Sequence, residues 1–264
     1  MQKEFTVTEG PAMITLSRSI HLSPVLWPLL ICITIFTPYI IAVSLNHVSP
    51  FLPSISKSAA FEPEGSIFGI LMTLVAFYGL MMMFSRYLQL DAAVQGDLKG
   101  VLQKVAKLNK VALPFGVSCL LGVVVVGNFQ SSLHEESLVM GKVKKGSSLG
   151  KIHDAGTAFL LVCGILYYWL QTAISYHTVK VGFNSKCVFT YRLVLSGIMT
   201  FTGVGYPFFK WFSYTKFNGS VEYWSPGDGG YILHVVNCAG EWVACLSLAL
   251  YAVSFYKEFQ NFLR

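Results

Sequence analysis

Charge is what this sequence has least of. Only 12% of its 264 residues are Asp, Glu, Lys or Arg, and 54% are apolar, with a mean hydropathy of +0.58. A water-soluble domain carries about 25% charged residues because its surface faces water. That shortage excludes a soluble globule. A disulfide framework is missing too. Of six cysteines, Cys32, Cys119, Cys163, Cys238 and Cys245 fall inside apolar runs and Cys187 in a short loop. None lies where an oxidising compartment would pair them. The five read as small packing residues, and Cys187 as one position open to palmitoylation. Internal repeats, low-complexity tracts, a second soluble domain and the H-E-x-x-H pattern are all absent. No cleavable signal peptide is expected, because the first apolar run starts late, contains Pro24, Pro28 and Pro38, and is followed by no small-residue cleavage site.

What remains is long apolar runs. Six of them, near 25–45, 66–86, 111–128, 155–176, 191–212 and 231–256, have the length to cross about 30 Å of hydrocarbon. Closed β-barrels are the other spanning solution, but "LVCGILYYWLQTAISY" does not alternate as their strands do. The expectation is an all-α fold, a polytopic six-helix transmembrane bundle over 25–262 behind a polar cytosolic tail at 1–24.

Orientation follows from basic residues. An even number of spans puts both termini on one side, together with the loops at 86–110 and 177–192. Lys3, Arg18, Arg86, Lys99, Lys104, Lys107, Lys110, Lys180, Lys186, Arg192, Lys257 and Arg264 lie there, 12 of 19. The positive-inside rule makes that side cytosolic. The sequon Asn218-Gly219-Ser220 then falls on the luminal side as a glycosylation site. The lysines at 104, 107 and 110, alternating with apolar 102, 105 and 108, suggest a short basic amphipathic turn anchored at the membrane surface. The net charge of +6 belongs to such short loops, so no nucleic-acid partner is expected.

Polar residues gather at the luminal ends of the spans. The valine run of "LLGVVVVGNFQ" stops on Asn128 and Gln130, and "HDAG" opens the fourth span with His153 and Asp154. On the sixth, His234, Asn237 and Glu241 stand at i, i+3 and i+7, on one helical face. Glu241 is about 15 Å into its span, where a carboxylate is costly and is expected to face the bundle interior with a partner. Glu62 and Glu64 precede the second span at the same level. These nine residues form a candidate luminal polar cluster, for binding or for structure. Each has a plainer reading: amides cap helices, and His153-Asp154 fits an N-cap. Tyr167, Gln171 and Ser175, at i, i+4 and i+8, suit interhelical hydrogen bonding nearer the cytosol.

Several stretches together resemble one family: "HVSPFLPSIS" (47–56), "PEGSIFG" (63–69), "LNKVAL" (108–113), "GNFQ" (127–130), "HDAGTAF" (153–159), "YYWLQTAISY" (167–176), "WSPGDGGY" (224–231) and "YILHVVNCAGEW" (231–242). It is the DNA damage-regulated autophagy modulator (DRAM) family, within a wider six-span group that includes GPI-lipid-remodelling and lipid-asymmetry proteins. The resemblance covers about 25–262. It implies a six-helix protein of lysosomal or endosomal membranes that promotes autophagy, with no established catalytic activity, and it marks Asn128, Gln130, His153, His234 and Glu241. Two departures stand out. Lys57, Ser58 and Ala59 replace the family's usual Asp-Thr-Gly after "PSIS", and "GKVKKGSSLGK" lengthens the third loop on the luminal side.

Three functions compete. The leading one is a non-enzymatic regulator of autophagy, with membrane lipids and other membrane proteins as partners. A membrane-embedded lipid enzyme would use histidines and carboxylates at one depth, as three-ligand zinc sites do, but the histidines come from different spans. A lipid or ion pathway would use buried acids and histidines, yet only Glu241 lies deep and no inverted repeat with broken helices is present. No catalytic residue, metal ligand set or cofactor is assigned.

Overall fold

The computed structural model describes residues 11–95, 102–130, 148–217 and 224–261. The sequon at Asn218 and the basic residues Lys142, Lys144 and Lys145 lie outside them. Among the described residues eight helices follow in chain order: α1 (Pro11–Ser44), α2 (Ile55–Ser58), α3 (Glu64–Gln95), α4 (Gln103–Asn128), α5 (Ser148–Val179), α6 (Lys186–Thr215), α7 (Tyr231–Val253) and α8 (Tyr256–Asn261). Six segments among them are long and apolar enough to span: Leu22–Ser44, Glu64–Val94, Gln103–Asn128, Ser148–Val179, Lys186–Thr215 and Tyr231–Gln260. The protein is a polytopic all-α membrane protein. Among the described residues there are no strands.

Several spans overrun their expected limits, most at the starts of α4, α5 and α6 and at the end of α3. α1 begins at Pro11, within the segment expected as a tail. α3 continues from Arg86 to Gln95 because its last turns are packed: Arg86, Gln89 and Leu90 are all buried. α5 begins at Ser148, so His153 and Asp154 lie inside the helix and not at its N-cap. The amphipathic turn at 102–108 also has a different partner. It is the start of α4, and Leu102, Val105 and Leu108 pack on Leu90 and Ile174 of the neighbouring helices, with Lys104, Lys107 and Lys110 exposed. Its apolar face is satisfied by protein and leaves only lysines for the membrane surface.

The spans close into a ring. α1 packs on α3, α3 on α4, α4 on α5, α5 on α6, α6 on α7, and α7 returns to α1. Between helices bathed in hydrocarbon no hydrophobic effect drives association, so close van der Waals packing does it. The α4–α5 seam shows how: a Cβ on Gly122 would come within 2.6 Å of the Leu160 nitrogen, and one on Gly156 within 2.6 Å of Val125. On the other side, the Trp27 indole donates to the Val75 carbonyl at 2.8 Å, in a space that a Cβ on Gly79 would invade.

At the end of the bundle where α8 lies, polar groups are fully interior. Glu258 of α8 accepts from Arg192 at 2.8 Å, from Arg86 and from Asn184 at 2.6 Å. Arg192 also donates to Ser175 Oγ at 2.6 Å and to Ser254 Oγ at 2.8 Å, and its guanidinium covers Phe255 at 4.1 Å. Arg86 and Arg192 are 1% and 0% exposed. By sequence both count among the basic residues of the loops at 86–110 and 177–192. In the structure they link α3, α5 and α6 to α8, and Ser175 of the stripe on α5 accepts from Arg192. Gln171 and Tyr167 of that stripe are buried beside it.

Candidate functional site

The opposite end of the bundle is built around one carboxylate. Between α1 and α3 the chain folds back over the helices, and short α2 sits with its N-terminus on Glu241. Ile55 N–H donates to Oε2 at 3.1 Å, and Ser56 donates to Oε1 through its N–H at 3.3 Å and its hydroxyl at 3.0 Å. First-turn N–H groups have no partner inside their own helix, and a buried carboxylate needs donors, so each supplies what the other lacks. The neighbouring Trp242 indole donates to the Pro53 carbonyl at 2.8 Å, and the Tyr39 hydroxyl donates to Pro50 at 2.9 Å. These anchors hold Leu52 at φ 45°, a left-handed conformation unfavourable for a γ-branched residue without such over-determination. The same loop is tied to α3 by His47, paired with buried Glu64.

Beside this loop is a polar vestibule of about 70 Å³, lined among others by Ser56, Lys57, His153, Tyr206, Lys210 and Asn237. His153 Nδ1 donates to the Phe129 carbonyl at 2.9 Å, which fixes the proton of the neutral ring on Nδ1 and leaves Nε2 as the acceptor. His234 stacks on Trp224 with centroids 4.1 Å apart and planes 19° from parallel. Its Nε2 is 3.6 Å from Cys238 Sγ. Asn237 is buried, and its Oδ1 has no hydrogen-bond partner. Lys210 donates to Asp154 at 3.1 Å, and Lys57 Nζ is 5.7 Å from the centre of the Trp224 ring.

Of the nine candidates, Gln130, His153, Asp154, His234 and Asn237 line this vestibule. Glu241 lies just beneath it, across Ser56. The other three are elsewhere. Asn128 donates to Thr73 Oγ1 at 3.1 Å and to its own helix at Val124. Glu64 is committed to His47, and Glu62 is exposed. Gln130 does double duty: its amide caps the C-terminus of α4 through the Val126 and Gly127 carbonyls at 3.0 and 3.2 Å. Lys57, Tyr206 and Lys210 were not singled out from the sequence as vestibule residues. A lysine inside the apolar run of α6 is the signal that could have found Lys210.

Among the described residues no three His, Cys, Asp or Glu side chains converge to hold a metal ion. The arrangement suits binding. Its charged groups are positioned by one another and by backbone, and its one deep acid is occupied by the α2 N-terminus.

Not every charge here contributes equally. Asp154 is 65% exposed, so its bridge to Lys210 is screened and worth less than about 1 kcal/mol. Asp154→Asn is expected to move the thermal midpoint of detergent-purified protein by no more than about 3 °C, read by light scattering on heating.

Comparison with known proteins decides the kinship. Residues 19–262 match the model of the Frag1/DRAM/Sfk1/Cwh43P N-terminal domain. The chain belongs to the Frag1/DRAM family. As a DRAM-family chain it is 30% identical over 239 residues to DNA damage-regulated autophagy modulator protein 2 of Mus musculus, covering 86% of this chain and 79% of that one. Human DNA damage-regulated autophagy modulator protein 1 is 29% identical over 226 residues, 84% of each chain. The Xenopus laevis protein of the same name is 28% identical over 224 residues, 84% and 83% of the two chains. No solved structure matches.

Proposed function

We propose that this protein is a six-span regulator of autophagy in a lysosomal or endosomal membrane, acting through lipid or protein neighbours and not through catalysis. Its DRAM-family relatives, named autophagy modulators over most of their length, support the cellular role. The observation that carries the non-catalytic reading is Glu241. A general base or metal ligand turns its lone pairs toward a substrate, whereas three of the roughly four acceptor sites of this carboxylate are already taken by Ile55 and Ser56. Lys104, Lys107 and Lys110, exposed at the start of α4, support a cytosolic position for the end bearing the termini. The vestibule then faces the lumen.

Cells lacking the protein are expected to clear a lipidated autophagosome marker more slowly, and wild-type protein restores clearance. Unchanged flux would overturn the autophagy role. Turnover of a lipid by pure protein in liposomes would overturn the non-catalytic reading.

A further inference from the structure

Behind the vestibule the bundle is not filled. An apolar chamber of about 160 Å³ lies on the axis of the ring, and all six spans contribute walls, from Trp27 and Met83 at one end to Ser56, Tyr206 and Glu241 at the other. Protein interiors are close-packed, with few spaces larger than a water molecule. Apolar cavities of about 150 Å³ stay dry and take up small hydrocarbons. Side chains that line such a space forfeit dispersion contacts, which an occupant would supply.

We propose that the chamber and vestibule together bind a single-tailed amphiphile with an anionic headgroup, its tail in the chamber and its headgroup in the vestibule. Three observations specify that ligand. First, the two spaces share Ser56 and Tyr206 as common wall, which places an apolar compartment directly against a polar one. Second, the chamber is small. Along α7 its lining runs from Gly240 to Leu248, about 12 Å of helix. A volume of 160 Å³ is close to that of cavities that take up one small hydrocarbon, which leaves room for one short alkyl chain of about eight carbons and not for two chains or a fused-ring sterol. Third, the vestibule lining holds two lysines, Lys57 and Lys210, and one carboxylate, Asp154. The buried Asn237 amide, whose Oδ1 has no partner, adds a hydrogen-bonding group that a hydroxyl-bearing headgroup would satisfy. Fatty acids and lysophospholipids share this chemistry of one tail and one anion.

Gly240 supplies the test. It lines the chamber, and a Cβ built on it would meet no heavy atom within 4 Å, so a larger side chain enters the chamber without striking the backbone. Full-length protein in phosphatidylcholine nanodiscs is titrated with three radiolabelled probes with short tails: octanoate, octanoyl-lysophosphatidic acid and octanoyl-lysophosphatidylcholine. Saturable binding of at least one anionic probe is expected, tighter than that of the choline lipid, and which one binds identifies the source. Gly240→Leu is expected to weaken it about tenfold, because the leucine occupies the tail's space. Ala244→Leu, on the same wall, serves if that variant does not fold. The double change Lys57→Gln, Lys210→Gln is expected to weaken the anionic probe about fivefold and leave the choline lipid unchanged. Absence of saturable binding, equal binding to folded Gly240→Leu protein, or no preference for the anionic probes would each overturn the proposal.

Discussion

Replacing Glu258 with alanine is expected to be the most damaging single substitution in this protein. The side chain is 4% exposed and stands between two buried guanidiniums. With the carboxylate gone, Arg86 and Arg192 keep their charges with no anion between them, and water cannot reach either. Removing one partner of a buried ion pair costs about 3–5 kcal/mol. Here one deletion orphans two cations and the Asn184 amide, so the cost belongs at the upper end of that range. Arg86→Met is expected to be milder, since Arg192 and Glu258 remain paired one to one and the methionine fills the same volume beside Phe255. The measurement is the fraction of protein remaining monodisperse after heating in detergent, compared across wild type, E258A and R86M. If E258A is as heat-resistant as wild type, or R86M is worse than E258A, the buried cluster does not hold the C-terminal helix.

The second large effect is expected at Glu241. Alanine there removes the acceptor for three donors and frees the loop that carries α2. Hydrogen bonds to a charged group are worth about 1.5–3 kcal/mol, and buried donors left unmade cost a comparable amount. A loss of roughly 3 kcal/mol is therefore expected, concentrated in one region. Amide exchange at Ile55 and Ser56 should rise steeply in E241A, while exchange in the middle of α4 and α5 stays slow. Glutamine retains one acceptor oxygen and should fall between the two. Exchange that rises equally throughout the bundle would mean that Glu241 holds up the whole fold and not the loop. Exchange unchanged at Ile55 and Ser56 would mean that the contact contributes nothing.

These two carboxylates also mark the limit of what sequence position reveals. Glu241 could be recognised from depth alone, because an acid ten residues into an apolar run must find donors. What it found could not be read: its partners are backbone N–H groups of α2, and every residue type offers the same N–H. Glu258 gave no signal at all. It follows the last apolar run, where a charge near a membrane surface costs little, and nothing local says that α8 turns inward. Arg86 and Arg192 likewise count, by position, only as loop charges that set the orientation. Asn128 and Gln130 show a milder form of the problem. An amide at a helix end satisfies local carbonyls as readily as it enters a distant site, and only Gln130 does both.

By itself, the sequence determined that the chain crosses a membrane six times as helices. Hydrocarbon demands runs of a fixed length with every backbone group bonded internally, and that demand is local and readable one segment at a time. It also marked Glu241 as an acid deep enough in its span to need donors. Only the tertiary structure decided that the helices close into a ring around an apolar chamber, that α2 plugs onto Glu241, and that two arginines share one glutamate. Those are contacts between residues far apart in the chain, chosen by shape and charge in three dimensions, and no local pattern encodes them.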